Sequence, residues 1–211
     1  MSEYYDRNYG AFLPESRTAA ILDIGCGPGG VVRYLHDLGY RNITAVDIDE
    51  QSLAALARLE GVTTRTARIE NRLPPDLRGP WDLIVVKQMI YYLDRREAAA
   101  FIRSLSQSLT ENGRLIVEIF NGSLMSSGFT AQKDPAILTA YTELGLKRLL
   151  EANGFTVERL FGADAGNGML HRMLRSLWFG LYRRLLMIER GRDDELPVIG
   201  EKSIIAIARR A

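Results

Sequence analysis

The chain has 211 residues, which suits a single domain over residues 1–211 with a sizeable core. Its net charge is +1 and 25% of its residues are charged, so its overall charge does not favour nucleic acid as a partner. One cysteine excludes an intrachain disulfide framework, and with only two histidines a zinc site is not expected. Neither a signal peptide nor a membrane span is predicted, so we expect a cytoplasmic protein.

Short β-branched runs alternate with longer amphipathic stretches, a pattern typical of an α/β fold with a mostly parallel sheet. Seven strands are predicted, at residues 19–24, 43–48, 62–67, 81–86, 114–120, 155–161 and 202–208. The nearly apolar fourth strand is expected at the centre of the sheet, and the more polar third strand at an edge. About six helices are predicted, among them 31–38, 51–59, 94–109, 142–152 and 169–190. Asn112-Gly113 is expected to cap the helix over 94–109, and 121–135 to form a long flexible connection.

A glycine-rich stretch follows the first strand, at the point where a helix is predicted to begin. Gly25, Gly27 and Gly30 fit the G-x-G-x-x-G pattern of a dinucleotide loop, in which glycines let the backbone approach a ligand. Gly25, Gly27 and Gly29 also fit a tighter D-x-G-x-G-x-G form that begins at Asp23. The carboxylate of Asp23 would repel a pyrophosphate but attract an ammonium or sulfonium group. The loop therefore favours a cofactor with a positive charge over a dinucleotide.

Two acidic residues mark the end of the second strand. Asp47 ends the apolar run directly, where a carboxylate can accept hydrogen bonds from ribose hydroxyls. Asp49 lies just before the helix predicted from 51 and suits its N-cap. We therefore assign ribose binding to Asp47 and helix capping to Asp49.

Together with segments further along the chain, these features resemble the class I S-adenosylmethionine-dependent methyltransferases. ILDIGCGPGG is similar to the first motif of that family, and AVDID to its acidic motif on the second strand. Similar segments around the fourth to seventh strands are WDLIVVKQMIYYL, LTENGRLIVEIF, LKRLLEANGFTVERL and EKSIIAIARR. The resemblance implies a Rossmann-like seven-stranded sheet of order 3-2-1-4-5-7-6, with the last strand antiparallel and helices on both faces. It also implies S-adenosylmethionine as the cofactor.

The same resemblance implies where the cofactor would bind. Lys87 and Gln88, at the end of the fourth strand, would line its methionine part. The chain has Arg68 where the family often has an acidic residue near the adenine, so the backbone of Ile69 would serve the ring edge. The implied cofactor-binding residues are Asp23, Gly25, Cys26, Gly27, Gly29, Asp47, Ile48, Ile69, Lys87 and Gln88.

The acceptor side of the site is less well marked. The fourth strand lacks the (Asp/Asn)-Pro-Pro-Tyr motif of many amide and adenine N-methyltransferases, and the acidic cluster by which catechol-type enzymes hold magnesium. We therefore expect no metal and no nucleic acid substrate. His171, after the sixth strand, is the candidate general base, with an ordinary structural role as the alternative. Tyr4, Tyr5 and Tyr9 are expected either to pack on the first helices or to form a flap over the cofactor.

The favoured function is methyl transfer to a small-molecule or glycan acceptor, with a hydroxyl oxygen as the acceptor atom. GNGMLHRMLRSLW and the later ERGRD resemble segments of bacterial methyltransferases associated with surface-polysaccharide assembly. Natural-product N- or O-methylation is the nearest alternative. A different class, an NAD(P)-dependent Rossmann oxidoreductase, follows from the G-x-G-x-x-G pattern, and a fold that binds the cofactor without catalysis is a third alternative.

Residues 163–195 are predicted to be a helical insertion or lid before the last strand. Within it, apolar residues recur at spacings of three and four over 169–190, and most arginines fall on the opposite side. One interpretation is a lid whose apolar face packs on the sheet and whose arginines are solvated. The other is an interfacial helix at the cytoplasmic membrane face, with arginines near anionic headgroups. Gly180 would split the helix in either case.

Overall fold

A computed structural model describes residues 2–190 and 195–211. The predicted insertion 163–195 and the ERGRD segment therefore lie partly outside the described residues. Seven strands form one sheet, namely β1 (Ile21–Ile24), β2 (Ile43–Asp47), β3 (Val62–Thr66), β4 (Trp81–Lys87), β5 (Leu109–Phe120), β6 (Phe155–Gly162) and β7 (Ser203–Arg210). Their order is β3-β2-β1-β4-β5-β7-β6, and β7 is antiparallel to both of its neighbours. The predicted fold is confirmed, with the fourth strand central and the third at an edge.

The helices of the described residues are α1 (Ser2–Tyr9), α2 (Gly30–Asp37), α3 (Glu50–Leu56), α4 (Arg95–Ser106), α5 (Ser127–Lys133), α6 (Glu143–Glu151) and α7 (Met169–Arg190). Side-chain caps fix several of their starts. Asp49 accepts a hydrogen bond from the backbone N–H of Gln51, which confirms its predicted role as the cap of α3. Asp94 and Glu97 form a reciprocal capping box at the start of α4.

Apolar side chains cover both faces of the sheet, because successive residues of a strand point to opposite sides. On one face, Leu22 of β1 belongs to a buried cluster with Phe101 of α4 and Leu146 of α6. On the other face, Ile21 belongs to a cluster with Tyr9 of α1 and Leu35 of α2. All four residues of β1 are buried, so the strand delivers the glycine loop from the centre of the molecule.

The start of β5 differs from the prediction. The helix expected to run to residue 109 ends at Ser106, and Asn112-Gly113 lies inside the strand rather than capping the helix. Leu109 is buried and pairs with Trp81, whereas Arg114 pairs with Leu83, so the register shifts between these pairs. The extra residues of β5 form an irregularity there, which places the asparagine and glycine in a bulge-like bend.

Three segments are more helical than the sequence indicates. Residues 2–9 form α1, which the sequence analysis does not predict, and the connection over 121–135 contains α5. Helix α7 has the predicted bounds and runs through Gly180 without interruption. Most of its large apolar side chains are exposed, which does not fit the lid interpretation, in which this face packs on the sheet.

Candidate functional site

The loop between β1 and α2 is held at the carboxyl edge of the sheet. Gly25, Gly27 and Gly29 all have left-handed backbone conformations, with φ of 70°, 49° and 78°. The N–H groups of Gly25 and Cys26 both donate to the carbonyl of Val46, which ties the loop to the end of β2. A β-carbon on Gly25 would lie 2.9 Å from Met89, but one on Gly27 would meet nothing within 4 Å. The loop is therefore packed against other protein atoms at Gly25, whereas the space beside Gly27 is free.

Asp23 lies beneath this loop and is 1% exposed. Neither of its carboxylate oxygens has a hydrogen-bond partner among the described residues. Burial raises the pKa of Asp23 to about 7, against the opposing effect of Lys87 and with a further increase from Asp47. An unpaired buried carboxylate is costly, and a cationic ligand group would supply the missing partner. The residues thus fit a cofactor that brings an ammonium group to this position.

Asp47 has a second role that its sequence position does not indicate. One carboxylate oxygen accepts from the N–H of Gly27 at 2.7 Å, and the other accepts from the N–H of Asp49 at 2.9 Å. The side chain therefore fixes the glycine loop and the start of α3. Each carboxylate oxygen has further lone-pair capacity, so the predicted bonds to ribose hydroxyls are compatible with this arrangement.

A cavity of about 650 Å³ opens beside Asp47. Of the predicted cofactor-binding residues, Gly25, Asp47, Ile48, Ile69 and Gln88 line it. Its remaining wall consists of Val46, Ala67, Arg68, Met89, Tyr92, Leu93, Ala136 and Leu138. The lining is mainly apolar and includes the carboxylate of Asp47. Such a lining suits a flat ring joined to a polar sugar.

The other predicted cofactor residues lie outside that wall. Cys26 is buried under the loop, where its thiol is 3.8 Å from the carbonyl oxygen of Gly27 and burial raises its pKa. A thiol kept protonated in this way suits a filling role rather than a nucleophilic one. Lys87, at the end of β4, has its ammonium 3.2 Å from Glu118.

Glu118 is the centre of a buried polar cluster that the sequence analysis misses. It lies on β5, is 2% exposed, and accepts hydrogen bonds from Tyr9 and from the side-chain amide of Gln88. With Lys87, three donors converge on this carboxylate. The available signal was a single charged residue within the apolar run LIVEIF, since an unpaired charge is not expected in a buried central strand.

Gln88 occupies the bend where β4 leaves the sheet. Its φ of 53° lies in the left-handed region, and it is the one non-glycine residue of the described chain with a positive φ. Such a conformation costs energy and is concentrated at functional sites. It lets Gln88 contribute to the cavity while its amide remains bonded to Glu118 and 3.3 Å from the hydroxyl of Ser203.

The tyrosines of α1 pack over this cluster. The ring of Tyr5 lies 5.5 Å from that of Tyr34 on α2, which is the packing alternative of the sequence analysis. The ammonium of Lys87 lies 5.9 Å from the ring of Tyr4, so α1 also covers the methionine side of the predicted site. Burial raises the pKa of Tyr5 to about 12, and the pKa of Tyr9 is raised in the same direction. Both phenols are therefore protonated at neutral pH, and that of Tyr9 donates to Glu118.

His171 is not among the residues that line the cavity. It lies in the first turn of α7, exposed to solvent, with its Nε2 2.8 Å from the guanidinium of Arg175.

Within residues 2–190 and 195–211 there is no group of three acidic, histidine or cysteine side chains placed to hold a metal. In the same part of the chain, no helix has the length and apolarity needed to cross a bilayer.

A family model and a curated relative that are similar to this chain are both described as methyltransferases. A family model described as a methyltransferase domain matches residues 1–160. A malonyl-[acyl-carrier protein] O-methyltransferase of Enterobacter lignolyticus (strain SCF1) is 32% identical over 105 residues, which cover 50% of this chain. The match covers only 40% of that relative's length.

Solved structures share the whole architecture. An S-adenosylmethionine-dependent methyltransferase from Mesorhizobium loti matches with a TM-score of 0.69 and 19% identity, covering 98% of each chain. The 1,6-didemethyltoxoflavin-N1-methyltransferase of Burkholderia thailandensis, solved with S-adenosylhomocysteine, has a TM-score of 0.64 and 19% identity. That match covers 100% of this chain and 76% of the other. At such identities the likeness shows a shared fold.

Proposed function

Because the chain belongs to the methyltransferase-domain family, we propose that it transfers a methyl group from S-adenosylmethionine to an oxygen of a small-molecule or glycan acceptor. The membership confirms the predicted family and its cofactor, whose sulfonium supplies an activated methyl group. The observation that carries the proposal for this chain is Asp23, a buried carboxylate under an open glycine loop with no hydrogen-bond partner among the described residues. Within the proposed site, Asp23 would bind the amino-acid ammonium, Asp47 the ribose, and the Ile48–Ile69 side of the cavity the adenine.

The protein's share of such a reaction is mainly alignment. Holding an acceptor in line with an activated methyl group can supply several kcal/mol through proximity and orientation. The cluster around Glu118 fixes Lys87 and Gln88 at the carboxyl end of β4, and α1 covers the buried carboxylate that holds them. A hydroxyl acceptor also needs a base for its proton, and His171 is the residue we propose for that step.

Binding experiments separate this proposal from the dinucleotide alternative. Thermal shift with S-adenosylhomocysteine and with NADH compares the two ligand classes directly. We expect stabilisation by S-adenosylhomocysteine alone, because the carboxylate of Asp23 favours a cation and disfavours a pyrophosphate. Stabilisation by NADH without an effect of S-adenosylhomocysteine would contradict the proposal.

The acceptor atom requires a chemical test. An oxygen is favoured by the O-methyltransferase name of the Enterobacter relative, while the Burkholderia neighbour is named for a nitrogen. Incubation with methyl-labelled cofactor and matched hydroxyl, carboxyl and amine acceptors gives products with different alkali stability. A methyl ester releases methanol in mild alkali, whereas methyl ethers and N-methyl groups survive. Label found only in N-methyl products would overturn the oxygen assignment and favour natural-product N-methylation.

A glycan acceptor is the class we place first. It is supported by the resemblance of residues 166–178 to methyltransferases of polysaccharide assembly, and by the position of α7. The hydroxyl of Tyr182 donates to the carbonyl of Ser123, which directly follows the carboxyl end of β5, so α7 lies on the side of the sheet where the site opens. A lipid-linked glycan would bring the enzyme to the cytoplasmic membrane face.

A further inference from the structure

Helix α7 presents a long apolar face to solvent. Its large apolar side chains recur at spacings of three and four, and their exposed fractions range from 49% at Leu181 to 81% at Ile188. Such a contiguous exposed patch is typical of an interaction site. The members of this outer face are Leu170, Met173, Leu174, Leu177, Trp178, Leu181, Leu185 and Ile188.

The opposite side of α7 attaches the helix to the body of the protein. Tyr182 donates a hydrogen bond of 2.7 Å to the carbonyl of Ser123. The ring of Phe179 packs so closely on Gly200 that a β-carbon there would lie 2.9 Å from it. Arg183 is half-buried on the same side. These contacts fix the rotation of the helix about its axis, so its apolar face points to solvent.

The exposed patch continues beside the helix. Met125 and Phe129 follow Ser123 in the chain, and they are 70% and 75% exposed. Because Ser123 is the residue that anchors Tyr182, these side chains extend an apolar surface at the carboxyl edge of the sheet. That edge also carries the glycine loop and the cavity.

Charge identifies what this surface would meet. The sequence of 169–190 contains five arginines and one glutamate, although the whole chain has a net charge of only +1. Of these arginines, Arg172 and Arg184 are exposed. A second copy docked face to face would bring two such basic helices together, and their charges would repel each other. An anionic surface would instead attract the arginines of the helix. Trp178 adds an amphipathic ring of the kind enriched at membrane–water boundaries.

We propose that the outer face of α7 inserts into the headgroup boundary of a bilayer that contains anionic lipid, with Arg172 and Arg184 attracting the headgroups. The helix lies in the plane of the membrane and does not cross it. This contact deepens the proposed glycan function, because it turns the carboxyl edge of the sheet toward a lipid-linked acceptor. It does not depend on turnover, so it can be tested without an acceptor.

Co-sedimentation with vesicles tests the proposal on the full chain. We expect binding to phosphatidylcholine vesicles that contain phosphatidylglycerol, weaker binding to phosphatidylcholine alone, and a decrease with added salt. Charge removal in Arg172→Gln and Arg184→Gln should weaken partitioning about fivefold for each arginine. Leu177→Gln together with Leu181→Gln should abolish insertion, and quenching of Trp178 fluorescence by lipid-embedded quenchers should disappear with it.

Matched controls carry the same changes elsewhere on the surface. Arg58→Gln and Arg96→Gln remove two exposed arginines outside α7, and Val198→Gln replaces an exposed apolar residue, so all three should bind vesicles like the unchanged protein. Titration with S-adenosylhomocysteine shows that each variant is folded, and also reports on the proposed function separately. Failure of the unchanged protein to co-sediment at low salt would overturn the proposal. So would a dimer that Leu177→Gln dissociates, because the face would then belong to a second copy.

Discussion

The hydroxyl of Tyr9 on α1 donates a hydrogen bond to the carboxylate of Glu118 on β5, across 109 residues of sequence. The bond joins the first helix of the chain to the centre of its sheet, next to the residues proposed to hold the cofactor. Helix α1 is therefore part of the site's architecture rather than a terminal appendage.

Removing that hydroxyl tests the strength of the connection. We expect Tyr9→Phe to lower the free energy of unfolding by about 1–3 kcal/mol, because a buried acceptor loses one of its donors. Urea denaturation measures the change. Tyr92→Phe is the matched control, since the Tyr92 hydroxyl bonds to Asp134 at the surface and its loss should cost less. Equal losses in the two variants would contradict a special role for the buried pair.

Asp47 should matter for ligand affinity more than its neighbour does. Asp47→Ala removes bonds proposed for the ribose and also the acceptor of the Gly27 N–H, so affinity for S-adenosylhomocysteine should fall at least about tenfold. Asp49→Ala removes only the cap of α3 and should leave that affinity unchanged. Calorimetric titration of the two folded variants gives the comparison. Unchanged affinity in Asp47→Ala would refute the ribose assignment.

Alanine substitutions at Gly29 and Gly27 should affect different properties, the stability of the fold at one position and ligand affinity at the other. A β-carbon on Gly29 would collide with the buried side chain of Leu56, so Gly29→Ala should destabilise the fold. A β-carbon on Gly27 meets no protein atom, so Gly27→Ala should cost only about 1–2 kcal/mol of backbone strain while the methyl group obstructs the ligand. Thermal unfolding and calorimetric titration measure the two effects. The assignment of the loop fails if Gly27→Ala binds S-adenosylhomocysteine normally.

Asp23 predicts a pH dependence of defined sign. Its folded-state pKa of about 7 exceeds the ordinary value, so the folded state binds the proton more tightly than the unfolded state. The free energy of unfolding should therefore decrease as pH rises from about 4 to about 7, and Asp23→Asn should remove this contribution.

Ligand binding should show the reverse trend. A bound ammonium favours the charged carboxylate, so affinity for S-adenosylhomocysteine should rise with pH up to about 7 and then level off. Calorimetry in buffers of different ionisation enthalpy should detect proton release below that pH. Binding without proton release, or an unchanged profile in Asp23→Asn, would place the ammonium elsewhere.

His171 remains the predicted base, and kinetics can decide its role. If it takes the acceptor proton, His171→Ala lowers turnover while affinity for S-adenosylhomocysteine is kept. A normal rate in His171→Ala would return this residue to the surface role that its exposure indicates.

Local patterns were sufficient to place several of the predicted cofactor-binding residues close together. Asp23, the glycines and Asp47 lie next to strand ends, so their spatial relation follows from two neighbouring parallel strands. The cap at Asp49 is also a local property and was predicted correctly. The pairing of Tyr9 with Glu118 was not accessible in this way, because nothing in either segment specifies so distant a partner.

Periodicity has a similar limit in α7 and β5. The spacing of apolar residues correctly predicted a helix over 169–190, although Gly180 does not split it as expected, and the spacing could not determine whether the apolar face meets protein or solvent. That orientation is set by Tyr182 and Phe179, which bond and pack with distant segments. Likewise, Asn112-Gly113 is typical of a turn, but pairing of Leu109 with Trp81 extends the strand across it.

The connection between β6 and β7 leaves and re-enters the sheet at neighbouring positions. Gly162 pairs with Ile204, and the N–H of Ala163 donates to the carbonyl of Ser203 at 2.9 Å. A tight hairpin could therefore replace everything between these points without disturbing any strand register. Mutation and recombination can lengthen, shorten or exchange this module while Asp23 and Asp47 stay in place, so the module and the glycine-loop end of the sheet are free to evolve separately.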